Sequence, residues 1–176
     1  MQLEYFDILA PNLPVVFCGI NPSTAAAKSG HNFGSPSNRF WKTLHLAGFT
    51  PRELVATDDR QILRYGCGIT AAAPRATPTA AHLNRAELKQ ADDGLRAKID
   101  HFRPHTVAFL GKAAYAAIRA LRDLPWGPQA EPYGGASVWI LPNPSGLNRG
   151  FSLSQLIEAY KALRLARAEL FDRWVL

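Results

Sequence analysis

Four segments of the chain are apolar without alternation, and each stops abruptly at polar or turn-forming residues. They are Val15-Val16-Phe17-Cys18 between Pro14 and Gly19, Cys67-Gly68-Ile69-Thr70, Thr106 to Gly111, and Ser137-Val138-Trp139-Ile140-Leu141. Strands covered on both faces lose the period of two, so these read as buried strands of a parallel sheet. The stretches between them follow a helical period instead. Asn38 to Ala47 spaces Phe40, Trp41, Leu44 and Ala47 on one face, with Ser37 or Asn38 as N-cap and Gly48 as the stop. Further helices are predicted over Arg52 to Tyr65, Asn84 to Phe102 (stripe Leu88, Leu95, Ile99, Phe102), Lys112 to Leu121, and Leu153 to about Leu170. Ser23 to Ser37 reads as a long polar loop without structure of its own, and Ala71 to Ala81 and Leu124 to Gly135 read as connections, the latter with Trp126 packed. Strands alternating with helices predict an α/β three-layer sandwich around a central, mainly parallel four-stranded sheet, as one domain over 1–176.

Composition narrows the classes. A chain of 176 residues with 47% hydrophobic residues can bury a core without disulfides or metals. The net charge of +6 favours anionic partners such as nucleic acid. Cys18 and Cys67 are too few and too far apart for a disulfide framework or a zinc site, so buried free thiols in a reducing compartment are expected. Met1 to Leu9 lacks a basic leader pattern, and no apolar stretch approaches the roughly 20 residues that span a bilayer. The expectation is a cytoplasmic protein with no membrane association, a monomer because no surplus apolar face is evident.

Candidate chemistry gathers at strand ends. In open α/β sheets ligands bind beyond the strand carboxyl ends; Gly19 lets a ligand approach the backbone, and Asn21 offers an amide that both donates and accepts. The fourth strand also ends in Asn-Pro-Ser, at Asn143-Pro144-Ser145, so both motifs are expected at one edge of the sheet. Phe33, among residues that cannot build a core, is a stacking candidate near that edge. Other features read as structural: Phe40 and Trp41 as core, His45 as an ordinary histidine, and Asp92 and Asp93 as a solvated helix face. Gly111-Lys112 before a helix fails as a phosphate loop, because the glycine-rich stretch and the following Ser or Thr are missing.

Three blocks together resemble the mismatch-specific uracil/thymine DNA glycosylase family of the uracil-DNA glycosylase superfamily. They are Gly19-Ile20-Asn21-Pro22, then Asn38-Arg39-Phe40-Trp41-Lys42 with Ala47-Gly48-Phe49-Thr50, then Leu141-Pro142-Asn143-Pro144-Ser145-Gly146-Leu147. They stand in the family's order and spacing from about Leu13 to Leu163. The resemblance implies a glycosylase-like fold and a monofunctional enzyme that flips uracil opposite guanine out of duplex DNA and hydrolyses its N-glycosidic bond. It implies no cofactor and no metal. Asn21 takes the place of the catalytic asparagine, which positions water or the base and implies slow turnover. The resemblance further implies a base pocket of Gly19, Ile20, Phe33, Ala26 and Asn143, with Asn143 expected to donate to the uracil carbonyl. Gly146, Leu147, Asn148 and Arg149 are similar to the wedge that fills the duplex and holds the widowed guanine.

The chain departs from the family pattern at three places. Ser23 and Thr24 replace a glycine and an apolar residue after the Asn-Pro. Ala26 is small where some relatives carry a hydroxyl, which leaves room for a thymine methyl and makes G·T a second candidate substrate. Ala91-Asp92-Asp93 replaces Gly-Gly-Arg, so Asp93 is expected as an auxiliary catalytic carboxylate. The competing expectations are a mismatch-binding module without hydrolysis and a small-molecule nucleotide-binding α/β domain.

Overall fold

The computed structural model describes residues 3–174; the first two and last two positions of the expected 1–176 domain lie outside the described residues. β1 (Val15–Gly19) lies inside the sheet, with β2 (Cys67–Ala71) on one side and β3 (Thr106–Leu110) on the other. Beyond β3 come β5 (Ser137–Leu141) and, at the edge, β4 (Gly127–Pro128), giving the order β2-β1-β3-β5-β4. The four long strands are parallel; only β4 is antiparallel. Gly19 pairs with Ala71, Cys18 with Phe109 and Leu110 with Leu141, so the carboxyl ends of these strands share one edge. The expected four-stranded sheet therefore gains a fifth strand, which lies in the 124–135 connection and is two residues long, too short to leave a periodic signal.

Alternation along β1 sends Val15 and Phe17 to one core and Cys18 to the other. The first core is closed by α2 (Phe40–Leu46) and α6 (Leu153–Ala166). Phe17 is its hub, edge-on to Phe40 and Phe49 at 5.4 Å each and stacked near Tyr160 at 6.1 Å. Each such aromatic pair adds about 0.5–1.5 kcal/mol beyond the area it buries. Leu156, Tyr160 and Leu163 recur at helical spacing to face the sheet, and Ser152 with Gln155 opens α6 with a capping box. The second core is closed by α3 (Arg85–Gln90), α4 (Asp92–Phe102) and α5 (Ala113–Ile118). The buried Asp7 ties this side together, taking Lys98 of α4 at 2.7 Å and the Thr70 hydroxyl at 2.6 Å.

Several expected boundaries move. The helix expected over 84–102 is two helices meeting at Ala91, because α3 packs on α5, where Arg85 donates to the Ala116 and Leu121 carbonyls, while α4 lies against the sheet. The segment 52–65 is a 3-10 helix over Ala56–Tyr65. The last helix breaks at Arg167 and continues as α7 (Ala168–Asp172). The 23–37 loop contains a helix, α1 (Thr24–Ser29). Its signals are ordinary ones: Ser23 accepts from the Ala26 N–H, three alanines follow, and Gly30 takes the left-handed C-cap at φ 74°. Trp126 is not packed away: it is 43% exposed, edge-on to Phe151 at 5.2 Å and with the Lys112 ammonium 4.8 Å from its ring.

Both cysteines are free and buried, and burial pushes each thiol above its ordinary range. The native protein is therefore expected to consume no thiol reagent at pH 8, and to consume two equivalents in denaturant. A fast-reacting native thiol would contradict this packing.

Candidate active site

The ends of β1 and β5 lie two strand spacings apart, roughly 10 Å, with only β3 between them. Beyond the sheet, the chain after β1 stays paired with the chain after β2: Ala72 donates to the Gly19 carbonyl at 2.8 Å, Ala73 to Ile20 at 2.9 Å, and Thr77 to Pro22 at 3.2 Å. A Cβ on Gly19 meets nothing nearer than the Thr70 carbonyl at 3.8 Å. Packing does not demand glycine there; its bare backbone leaves the edge open.

Asn21 is held in one sense. Its amide nitrogen donates to the Arg75 carbonyl at 2.8 Å and to the Thr77 hydroxyl at 2.7 Å. Thr77 gives its own proton to the Thr79 carbonyl at 2.7 Å, so it can only accept from Asn21. Both amide hydrogens are thus engaged, and Oδ1 of this half-buried residue has no hydrogen-bond partner among the described residues. The Arg75 backbone is steadied through its side chain, which grips Glu87 of α3 at 2.6 and 2.9 Å and the His82 carbonyl at 3.1 Å. The hydrogen bond from Arg75 holds the Glu87 carboxyl below its ordinary range. Its contribution is therefore complete above the ordinary glutamate pKa of roughly 4.3 and is lost as pH falls through the lowered folded value.

Asn143 shows the opposite sense. Its Oδ1 accepts the Ser145 N–H at 2.9 Å, which turns the amide nitrogen outward as a donor. That nitrogen lies beside Gly111, where φ is 91° and a Cβ would stand 3.9 Å from it and 4.0 Å from the Ile20 side chain. Ile20, Gly111 and Asn143 therefore meet, with Asn21 the next residue along. The buried Tyr160 hydroxyl donates to the Pro142 carbonyl at 3.1 Å and steadies the exit from β5.

Phe33 lies half-buried against the first core, stacked on Phe40 with ring centroids 4.0 Å apart. Its φ of 54° falls in the left-handed region, uncommon for an aromatic residue. Ala26 is buried on the inward side of α1. A cavity of about 160 Å³ lined by Tyr5, His31 and Asp59 contains none of the candidate residues.

The loop from 144 to 151 is built around Arg39. Its guanidinium donates to the carbonyls of Phe151 (2.7 Å), Asn148 (2.9 Å), Ser145 (3.0 Å) and Pro144 (3.4 Å). Gly146 is pressed on Ser37 so closely that a Cβ would sit 2.7 Å from the Ser37 carbonyl oxygen. Leu147 stands at the tip, 72% exposed, the most exposed of the large hydrophobic side chains among the described residues. The N–H groups of Leu147, Asn148 and Gly150 are bonded within the loop, whereas the Gly146 and Leu147 carbonyls have no partner among the described residues. Asn148 turns its side chain inward, donating to the Asn143 carbonyl at 2.9 Å, and Arg149 is exposed.

Asp93 is exposed at the start of α4, and its carboxylate makes no hydrogen bond or ion pair among the described residues. Its neighbour Asp92 is structural, accepting the Tyr133 hydroxyl at 2.6 Å and Arg96 at 3.2 Å. Burial and that bond push the Tyr133 hydroxyl up, so it remains a donor. His45 faces the Thr50 carbonyl at 3.0 Å, as expected of an ordinary histidine. Among the described residues no group of three or more His, Cys, Asp or Glu side chains is placed to hold a metal ion. Sequence reasoning missed Arg39, Arg75 and Thr77 as functional supports; the signal for the last two was an amide whose donors needed partners.

Arg39→Ala removes four bonds that draw on one charged group. It is expected to lower stability by about 2 kcal/mol and to speed tryptic cleavage after Arg149 at least about tenfold, with cleavage at Lys161 unchanged. Urea unfolding and limited proteolysis read the two effects; an unchanged rate at Arg149 would show that Arg39 does not hold the loop.

The model of the Uracil DNA glycosylase superfamily matches residues 6–164. Among solved structures, the fold is similar to the solution NMR structure of a candidate uracil DNA glycosylase from Methanosarcina acetivorans, with 20% identity, a TM-score of 0.57, and coverage of 90% of this chain and 95% of that one. The chain belongs to the uracil DNA glycosylase superfamily, which makes a DNA glycosylase of it.

Proposed function

We propose that the protein is a monofunctional glycosylase that flips uracil, mispaired with guanine, out of duplex DNA and hydrolyses its N-glycosidic bond as the opening step of base excision repair. The observation that carries this reading is the opposed sense of two amides at one sheet edge: Asn21 offers an acceptor and Asn143 a donor. Flipping costs about a few kcal/mol and costs least at a mispair, so discrimination begins before chemistry. Leu147 fills the vacated stack, as apolar wedges do. The free carbonyls of Gly146 and Leu147 suit the N1–H and N2–H donors of the widowed guanine, while Asn148 braces the loop from within and Arg149 meets phosphate.

The extruded uracil stacks on Phe33. Asn143 donates to a uracil carbonyl as the C1′–N1 bond breaks and its electron pair passes to the base; a fixed donor aimed at developing charge is the larger catalytic term in such sites. Asn21 Oδ1 accepts from a water and aims its oxygen at C1′. An amide cannot take the proton, which passes to solvent after the new C–O bond forms, leaving an abasic sugar and free uracil. Asp93 takes no part in this chemistry. The small Ala26 gives a thymine methyl room, which makes G·T the second substrate.

The test is single-turnover cleavage of G·U, A·U, G·T and single-stranded uracil substrates, read after alkali treatment. Asn21→Ala is expected to slow G·U excision about 100-fold or more. Thr77→Val should slow it about tenfold by releasing the amide, and Thr77→Ser should restore it. Asp93→Asn should keep the full rate. Intact G·U strands with tight binding would instead mark a mismatch-binding module, and an undiminished Asn21→Ala rate would overturn the proposed role of that amide.

A further inference from the structure

An aromatic residue held in the left-handed region is strained and persists only where its surroundings impose it. Phe33 is such a residue, and the constraint acts on its neighbour. Asn32 is buried; its N–H donates to Asp59 Oδ2 at 2.9 Å, its amide nitrogen to the Phe6 carbonyl at 3.0 Å and to the same carboxylate oxygen at 3.4 Å, and its carbonyl accepts the Trp41 indole N–H at 3.2 Å. Asp59 comes from the 3-10 helix at 56–65 and has a side chain only 5% exposed. Its other oxygen faces His31 Nδ1 at 3.7 Å, too far for a hydrogen bond, and that nitrogen is buried without a hydrogen-bond partner. One carboxylate thus fixes Asn32, the residue that precedes Phe33.

We infer that Asp59 is a positioning residue for the stacking platform. It fixes Asn32, and through Asn32 the φ of Phe33 and the seat of its ring on Phe40, which sets the level at which a flipped base lies. This rests on the reading of Phe33 as the base platform. Asp59 itself touches neither base nor sugar. Removing the carboxylate leaves a buried N–H without an acceptor and lets residues 31–33 relax; an asparagine at the same place still offers an oxygen to that N–H.

The experiment is a double-mutant cycle on single-turnover G·U excision with Asp59→Ala, Phe33→Ala and the pair, with Asp59→Asn as the conservative variant. Binding to a duplex carrying a stable abasic-site analogue, which needs the wedge and not the platform, is measured alongside. Asp59→Ala is expected to slow excision about tenfold, to add no further loss in the Phe33→Ala background, and to leave abasic-duplex affinity within about twofold. Asp59→Asn should recover most of the rate. An Asp59→Ala variant at the wild-type rate, a loss just as large without Phe33, or a parallel loss of abasic-duplex binding would each overturn the inference. A native protein that excises no uracil would overturn the glycosylase reading and the inference with it. A Phe33→Ala variant at full rate, with native activity present, would remove the platform alone.

Discussion

A single threonine hydroxyl decides which end of the key amide faces outward. Thr77 must donate to Thr79, so it can receive only the nitrogen end of Asn21, and the oxygen end is left toward the open edge. Reversing that amide would set an oxygen against the Arg75 carbonyl, a repulsive pairing, and any bond it then drew from the Thr77 hydroxyl would be taken from Thr79. The remaining architecture serves this arrangement. Parallel strands in matched register bring the turns after β1 and β2 side by side, and backbone pairing beyond the sheet keeps residues 21 and 77 in reach. Arg75, tied to α3, completes the frame.

The other half of the site obeys the same logic with different parts. Asn143 is fixed through its oxygen by a neighbouring N–H, so its nitrogen is the end that remains. Arg39 gathers four carbonyls of the following loop into one fork of donors, a task lysine, with a point charge on a flexible stem, would perform less well. Because Arg39 holds four of the loop's carbonyls and the N–H groups of Leu147, Asn148 and Gly150 are bonded within the loop, Leu147 can stand exposed on a rigid base. An exposed leucine on a mobile loop would pay ordering entropy whenever it entered a duplex; here much of that ordering is already present.

How much of this was legible depended on the range of the interaction. β1, β3 and β5 were visible because strands buried on both faces are apolar throughout, and Phe40, Trp41 and Leu44 because helix α2 repeats on one face. Asn21 and Asn143 were visible as polar residues following such strands. Helix α1 was missed although Ser23, the alanines and Gly30 announced it, because the polar residues after it drew the whole stretch into one loop. β4 has too few residues to carry a pattern. Thr77 lies 56 residues from Asn21, Asp59 lies 27 from Asn32 and Arg39 lies 106 from Ser145, and no local period connects such pairs. The Asp92–Asp93 pair was visible but ambiguous: side-chain placement gives one acid to Tyr133 and Arg96 and leaves the other to solvent.

Three carboxylates around the site's framework have structural partners: Glu87 grips Arg75, Asp59 braces Asn32, Asp92 takes Tyr133. The two amides at the open edge, Asn21 and Asn143, are neutral. In the proposed reaction a water next to an amide oxygen is oriented but keeps its proton until late, so bond breaking runs ahead of attack and depends on how well charge on the departing base is accommodated. Such a site cannot hurry a poor leaving group. On the proposed reading, selectivity falls on the earlier equilibrium, in which a weakly paired base leaves the stack, Leu147 occupies the gap and Phe33 receives the ring. Bases that leave readily, and whose partner strand the wedge can satisfy, are the ones this chemistry can reach.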